Sequence, residues 1–253
     1  LSSVTTEFAD GVAVFTIDRP DARNAVNQEV ATELAAAVDE LERRDDISIA
    51  ILTGAGGTFC AGMDLKAFTR GELPFVPGRG FGGLTESPPT KPLIAAVEGW
   101  ALAGGCELAL SADLIVAAED AKFGLPEVKR GLVAAAGGLL RLPKILPYQL
   151  ASEIALTGEP VTAPRLHQFG VVNTITASGG ALDGARELAA RIAANGPLAV
   201  KATKQVLGMA VRYTDPDLFT AQSVPLDPVF ASADAQEGAL AFAEKRAPNW
   251  TGR

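Results

Sequence analysis

Short stretches of almost unbroken apolar residues mark the first two thirds of the chain, and apolar positions at helical spacing dominate the last third. Val12-Ala13-Val14-Phe15-Thr16-Ile17, Ile47 to Thr53, Leu93 to Val97 and Leu114 to Ala118 have strand length, with Val171 to Ile175 as a late addition. Runs whose neighbouring positions are both apolar suit strands covered on both faces. Between them the period lengthens. From about Asn27 to Arg43, Val30, Leu34, Val38 and Leu41 recur on one face and predict a helix behind a turn rich in Pro, Asp and Asn. Further helices are predicted around Glu107, over Ala163 to Phe169 and, briefly, over Leu65 to Phe68. Such alternation predicts an α/β protein with helix-covered sheets.

After about Leu182 only helical periods remain: Asp183 to Ala194, Leu198 to Val211, a broken segment from Asp217 to Ala231, and Ala233 to Arg246. The expected organisation is a mixed core over 1–182 that carries the active site, followed by a helical region over 183–253. That region has no strands of its own to cover, so its apolar stripe of Leu188, Ile192, Val206, Leu207, Leu240 and Phe242 is a candidate for subunit contacts. Between Thr69 and Pro92 glycines and prolines accumulate with little periodicity, as in a loop beside a ligand site.

Charge inside the most apolar region changes the picture. Glu107 lies in Ala103-Gly104-Gly105-Cys106-Glu107-Leu108 and Glu127 in Phe123-Gly124-Leu125-Pro126-Glu127, with a helix and a buried strand between them. If both carboxylates face one cavity, their surroundings can separate their pKa values, giving an acid and a base for one small molecule. The structural alternative is a pair of core carboxylates that cap or pair. Two glycine-rich turns accompany them. Phe59-Cys60-Ala61-Gly62-Met63-Asp64 feeds the short helix at Leu65, and Gly104-Gly105 opens the Glu107 helix. N–H groups at helix starts have no intrahelical partner, so the two turns are either simple tight connections or a site that stabilises an oxyanion.

The inventory narrows the chemistry. With one histidine in 253 residues, His167, a His-rich metal site has no basis and a Ser-His-Asp triad is disfavoured; His167 is read as structural or surface. Cys60 and Cys106 lack CxxC spacing and read as reduced thiols, and the neighbouring Glu107 disfavours Cys106 as a nucleophile. A net charge of -8 argues against nucleic-acid binding while leaving room for a local basic pocket around one anionic ligand. Glu98, Glu107, Asp113 and Glu119 interrupt the most apolar stretch well short of the roughly eighteen residues a membrane span needs. No charged start and apolar core of a secretory signal is recognisable, which makes the cytoplasm the expected compartment.

An ordered series of motifs then becomes specific: Asp18-Arg19-Pro20 with Asn24-Ala25, Phe59 to Leu65, Lys91 to Gly99, Ala103 to Ala109 and Phe123 to Glu127. It continues through Gly137-Gly138-Leu139-Leu140-Arg141-Leu142, Leu156-Thr157-Gly158, Gly170-Val171-Val172 and Phe242-Ala243-Glu244-Lys245-Arg246. Over nearly its whole length the chain resembles the enoyl-CoA hydratase/isomerase (crotonase) family. The resemblance implies a spiral of ββα units with a C-terminal helical region, a homotrimer or homohexamer, an acyl-CoA thioester substrate, and neither metal nor redox cofactor. It maps two catalytic glutamates onto Glu107 and Glu127, and an oxyanion hole of backbone N–H groups onto Met63 and Gly104. CoA-binding positions fall on Arg23, Ala25, Ala61, Asp64, Leu65 and Lys245. Hydratases of the family carry glutamates at both of these positions, and other branches often lack one, so the implied reaction is reversible syn addition of water to a 2-enoyl-CoA. Two features depart from that pattern. Where hydratases commonly carry a Pro-Gly turn that helps hold water, this chain has Val133-Ala134-Ala135-Ala136-Gly137-Gly138, and Leu139 to Pro147 and Leu240 to Pro248 are similar to carnitinyl-CoA dehydratases. A carnitinyl-CoA dehydratase-like or other lyase or isomerase activity, and a non-catalytic acyl-CoA-binding scaffold, are the alternatives.

Overall fold

A computed structural model of the protein describes residues 2–212 and 223–253. Its main sheet has six strands in the order β1 (Val4–Ala9), β2 (Val12–Ile17), β3 (Ile49–Gly54), β6 (Leu93–Val97), β8 (Leu114–Ala118) and β11 (Thr174–Thr176). β1 and β2 form an antiparallel hairpin, and every other neighbouring pair is parallel. Alternation along β3, β6 and β8 explains their unbroken apolar character. Ile49, Ile51, Ile94, Ala96 and Val116 point into a layer closed by Ala181, Ala185 and Ala189 of α7 (Ala181–Ala193). Their neighbours Ala50, Leu52, Leu93, Ala95, Val97, Ile115 and Ala117 join the larger core with the inner face of α1 (Gln28–Arg43), whose start is capped by the Asn27 side chain. Glu98, which interrupts the apolar run, accepts the N–H groups of Gly179 at 3.0 Å and Ala181 at 2.7 Å and so secures the start of α7.

Each time the chain leaves this sheet by β3, β6 or β8 it passes through a second layer before entering helical structure. The second layer comprises β7 (Trp100–Leu102), β9 (Lys122–Gly124) and β10 (Val161–Thr162), in the order β10-β9-β7. Cys60 adds a parallel bridge to Ala101, so the layer continues back to the segment after β3. Helices α2 (Leu65–Phe68) and α3 (Gly104–Ser111), and the 3₁₀ helix Pro126–Arg130, follow these three passages in turn. This is the expected spiral of strand, strand and helix.

The main sheet differs from the sequence expectations at both of its edge strands. β11 begins at Thr174 rather than Val171, because the chain bends to let Asn173 exchange hydrogen bonds with the backbone of Ile115 through both its N–H and its side chain. β1 was not expected; it is an edge strand in which only Val4 is buried, so it carries no apolar period. The division expected at residue 182 runs through α7, and Leu188 and Ile192 pack against the same small core as Ala185. Those two are therefore already partly covered within the chain. Of the remaining stripe, Leu207 on α8 (Pro197–Arg212) and Leu240 on α10 (Ala233–Glu244) are exposed. The side chain of Phe242 is not among those described, and of the segment expected over 217–231 the described part is α9 (Ser223–Phe230).

Candidate active site

The site grows out of the register of the second layer. Cys60 pairs with Ala101 and Ala101 with Phe123, all parallel, so residues at equal distances beyond them emerge side by side. Three residues on from the first pair lie Met63 and Gly104. A Cβ placed on Gly62 would stand 2.8 Å from that of Ala103 and 3.3 Å from the nitrogen of Gly104, which shows how closely the two turns approach. Val26 fastens the first turn by accepting from Asp64 and donating to Gly62, leaving the intervening N–H of Met63 uninvolved. Gly104 is the first residue of α3 and has no intrahelical acceptor. Among the described residues neither N–H has a hydrogen-bond partner. Between the two turns Ala103 is held at φ 51°, ψ −127°, its N–H bonded to the Gly124 carbonyl at 2.9 Å. A non-glycine residue there costs on the order of 1–3 kcal/mol, and such strain gathers where geometry is functional.

Glu107 sits in the first turn of α3 and is 2 % exposed. Its Oε1 accepts the N–H of Ala136 at 2.8 Å and that of Gly138 at 2.9 Å. Gly138 makes this approach possible, since a Cβ there would lie 3.0 Å from Glu107 Cγ and 3.2 Å from Oε1. Burial pushes the Glu107 carboxyl above its ordinary range, against the opposing pull of the two N–H groups and of the Arg141 charge. Glu127, in the 3₁₀ helix, is driven up to about 6, by burial first and by the charge of Glu107 in addition. Its Oε2 is buried without a hydrogen-bond partner among the described residues. One carboxylate is thus held by two donors and a nearby cation, while its neighbour keeps an oxygen free and a pKa close to neutrality. That asymmetry suits one group to take a proton and the other to give one.

Most other expected residues gather at the mouth of the first turn. Arg23 is exposed in a left-handed conformation at φ 52°, and its carbonyl accepts from Ala61 at 3.0 Å. Arg19 reaches the Ala25 carbonyl and pairs with Asp64 at 3.0 Å. Asp64 also caps α2 through the N–H groups of Lys66 and Ala67, and Leu65 is the exposed first residue of that helix. Lys245 stands apart. It follows α10, and the tail beyond it is tied by Trp250 to the Ala194 carbonyl and by Thr251 and Gly252 to Asp234. Among the described residues no hydrogen bond or ion pair joins Lys245 to the Arg23 cluster.

His167 is exposed, with Nδ1 2.7 Å from the Val172 carbonyl, in keeping with its structural reading. Cys60 and Cys106 are free and buried, and burial pushes both thiols up, that of Cys60 to about 12. A thiol so far from ionisation is no nucleophile. Among the described residues no cluster of three or more His, Cys, Asp and Glu is placed to hold a metal. In the turn over Val133 to Gly138, which departs from the Pro-Gly turn of hydratases, two N–H groups hold Glu107, and the methyls of Ala134 and Ala136 join the main core. Ala136 and Gly138 are the contributors that the residue-by-residue reading missed; their signal was the Gly137-Gly138 motif itself.

Comparison with known proteins identifies the family. The profile of the enoyl-CoA hydratase/isomerase family matches residues 7–253. The chain belongs to that family. It is 43% identical to enoyl-CoA hydratase EchA19 of Mycobacterium tuberculosis, over 95% of this chain and 93% of that protein. It is 45% identical to carnitinyl-CoA dehydratase of Escherichia coli K12, over 94% of each. The crystal structure of an enoyl-CoA hydratase from Mycobacterium tuberculosis H37Rv superposes with a TM-score of 0.98 at 58% identity, with both chains fully covered.

In this family member the raised pKa of Glu127 has a consequence for stability. The folded state binds the Glu127 proton more tightly than the unfolded state, so the cost of burying the carboxylate is absent below about pH 4.5 and fully present above about pH 6. Glu127→Gln removes the charge, and denaturant unfolding at pH 7.5 is expected to show the variant more stable by about 1 kcal/mol after allowance for partial exposure, the gain vanishing near pH 4.5. Equal stability of variant and parent at both pH values would contradict the assigned shift.

Proposed function

We propose that the protein is an enoyl-CoA hydratase, adding water reversibly and syn across the double bond of a 2-enoyl-CoA to give a 3-hydroxyacyl-CoA. The observation that carries the reading is the unequal pair of carboxylates, Glu107 buried and gripped by two N–H groups, and Glu127 with a buried oxygen that has no partner among the described residues. Glu107 takes a proton from water as it attacks Cβ, and Glu127, poised near neutrality, delivers a proton to Cα; in dehydration the roles reverse. The thioester oxygen, which gains negative charge as the enolate forms, accepts the N–H groups of Met63 and Gly104. The enzyme needs no metal or redox cofactor, because CoA is part of the substrate and the two carboxylates carry all proton movement.

A second reading, dehydration of a polar acyl-CoA, is supported by the 45% identity to a carnitinyl-CoA dehydratase. It uses the same machinery and differs in the acyl group. Disappearance of the crotonyl-CoA conjugated-thioester absorbance tests for turnover, and a panel of acyl chains separates the two enzymatic readings; binding without turnover of any of them would leave a scaffold. Glu107→Gln and Glu127→Gln are each expected to lower turnover by ~10²- to 10⁴-fold with little change in acyl-CoA affinity. The double variant should be far less impaired than the product of the single losses. Gly104→Pro removes one oxyanion donor and should cost at least ~10²-fold. Folded single carboxylate variants that work at the parent rate would refute the mechanism.

The CoA end is proposed to lie over Arg23, Ala25, Ala61, Asp64 and Leu65, which the fold gathers beside the Met63 turn, with Lys245 joining on the strength of its charge. Arg23→Ala and Lys245→Ala should each weaken CoA binding about fivefold at low salt and less at high salt, and an unchanged Kd would remove that residue from the site. Assembly as a trimer or hexamer is proposed through the helical region after residue 182, on the support of exposed Leu207 and Leu240. Light scattering at micromolar concentration should give three or six times the monomer mass, and a monomer would contradict it. Buried unpaired Cys60 and Cys106 support a reducing compartment, the cytoplasm, and trapping of both thiols by alkylation of the cell-derived protein after denaturation checks it.

A further inference from the structure

Arg141, four residues beyond the left-handed Gly137, folds back over the turn that holds Glu107. Its Nη1 is 3.4 Å from the Ala136 carbonyl and its Nη2 2.5 Å from the Thr85 carbonyl. A Cβ on Gly137 would stand 2.1 Å from that Nη1, so the side chain lies against the turn itself. Ala136 is the residue whose N–H binds Glu107. Thr85 is 1 % exposed and lies in the loop that follows β5 (Gly80–Phe81). Phe81 in turn packs on the other half of the site, for a Cβ on Gly104 would lie 2.4 Å from its ring. One guanidinium therefore links the turn that grips the carboxylate to the loop that backs the Gly104 N–H.

We infer that Arg141 is a positioning residue for hydration, clamping the Ala136–Gly138 turn to the Thr85 loop so that Glu107 is held in place. A planar fork that spans two carbonyls suits this task better than the single ammonium of lysine. Among the described residues, the titratable and charged groups that bear on Glu107 are the Glu127 carboxylate from the 3₁₀ helix, the protonated Cys106 thiol beside it on α3, and Arg141 from α4 (Gly138–Ile145). Arg141 alone among them favours the ionised form by its charge. Removing it raises the Glu107 pKa further, and the acid limb of the pH–rate profile moves to higher pH.

The inference rests on the proposed hydratase reaction for its kinetic consequence, but its structural part can be measured without turnover. In the full chain labelled with ¹³C at glutamate carboxyls, the Glu107 signal is assigned by its loss in Glu107→Gln and titrated in the parent, Arg141→Gln and Arg141→Lys. The Gln variant is expected to titrate at higher pH than the parent, and the Lys variant close to it. With crotonyl-CoA, Arg141→Gln should lower kcat roughly 10- to 100-fold with KM changed less than about threefold, and its acid limb should move with the titration. Arg141→Lys should restore the limb and only part of kcat. A parent that titrates as described but hydrates no enoyl-CoA would refute the proposed reaction and leave the Arg141 clamp standing. Folded Gln and Lys variants in which both the Glu107 titration and kcat match the parent would overturn the clamp, and a Gln variant too unstable to assay leaves the decision to the Lys variant, whose unreduced kcat would overturn it equally.

Discussion

Parallel pairing in the second layer is the constraint from which the site follows. Hydrogen bonding between Cys60, Ala101 and Phe123 fixes three passages of the chain against one another to within a residue, and whatever follows each passage inherits that register. Met63 and Gly104 become neighbours although 41 positions separate them in the chain. Glu107 and Glu127 follow within a few residues of the second and third passages, so the helix and the 3₁₀ turn that carry them start from adjacent strands. A shift of one residue in either pairing would separate the two N–H groups and turn the carboxylates apart. The strained conformation of Ala103 is sustained by the same pairing, because its N–H is bound to the end of the third passage at Gly124.

Upon this frame electrostatics makes two identical side chains different. Both glutamates suffer desolvation, which raises their pKa values, yet they are compensated unequally. Glu107 receives two backbone N–H groups on one oxygen and the field of Arg141, all of which favour its charged form. Glu127 has a buried oxygen with no donor among the described residues and feels the charge of Glu107, so it holds its proton to higher pH than an exposed glutamate would. A core built for stability alone would leave neither group there, since a buried carboxylate oxygen without a donor costs free energy. The protein tolerates that cost at the point where acid and base chemistry is proposed.

How much of this was legible depended on how local the signal was. β6 and β8 fall on the residues expected, because both of their faces are apolar and the run has no ambiguity of period. α1 differs from expectation only in starting at Gln28, with Asn27 as its cap. The glutamates stood out as charges in apolar, glycine-rich surroundings. β7, β9 and β10 have two or three residues each, too few to show a period, and they are defined by pairing partners far away in the chain. α7 reads as an amphipathic helix like those after it, and nothing in its own residues says that its alanine face closes the main sheet rather than a subunit contact. Arg141 was visible as part of a motif, but its partner Thr85 lies 56 residues earlier, and only the fold brings them together.

The same separation of local from distant causes bears on how relatives with different names share one machine. Hydration and dehydration of a 3-hydroxyacyl thioester pass through the same transition states, so both need an acid and a base on one face and an acceptor for negative charge on the thioester oxygen. Glu107, Glu127, Met63 and Gly104 would serve either direction unchanged. What distinguishes a simple enoyl chain from a polar acyl group must then be read by residues beyond Cβ, where the glutamates do not reach. Two structures stand behind that machinery: the loop carrying Phe81 and Thr85, whose Phe81 ring packs on Gly104, and the turn before Gly138, whose N–H groups hold Glu107. Arg141 bonds to both, so the backing of the Gly104 turn and the placement of Glu107 are tied together by one side chain, through the carbonyls of Thr85 and Ala136 rather than through a hydrogen bond to either glutamate.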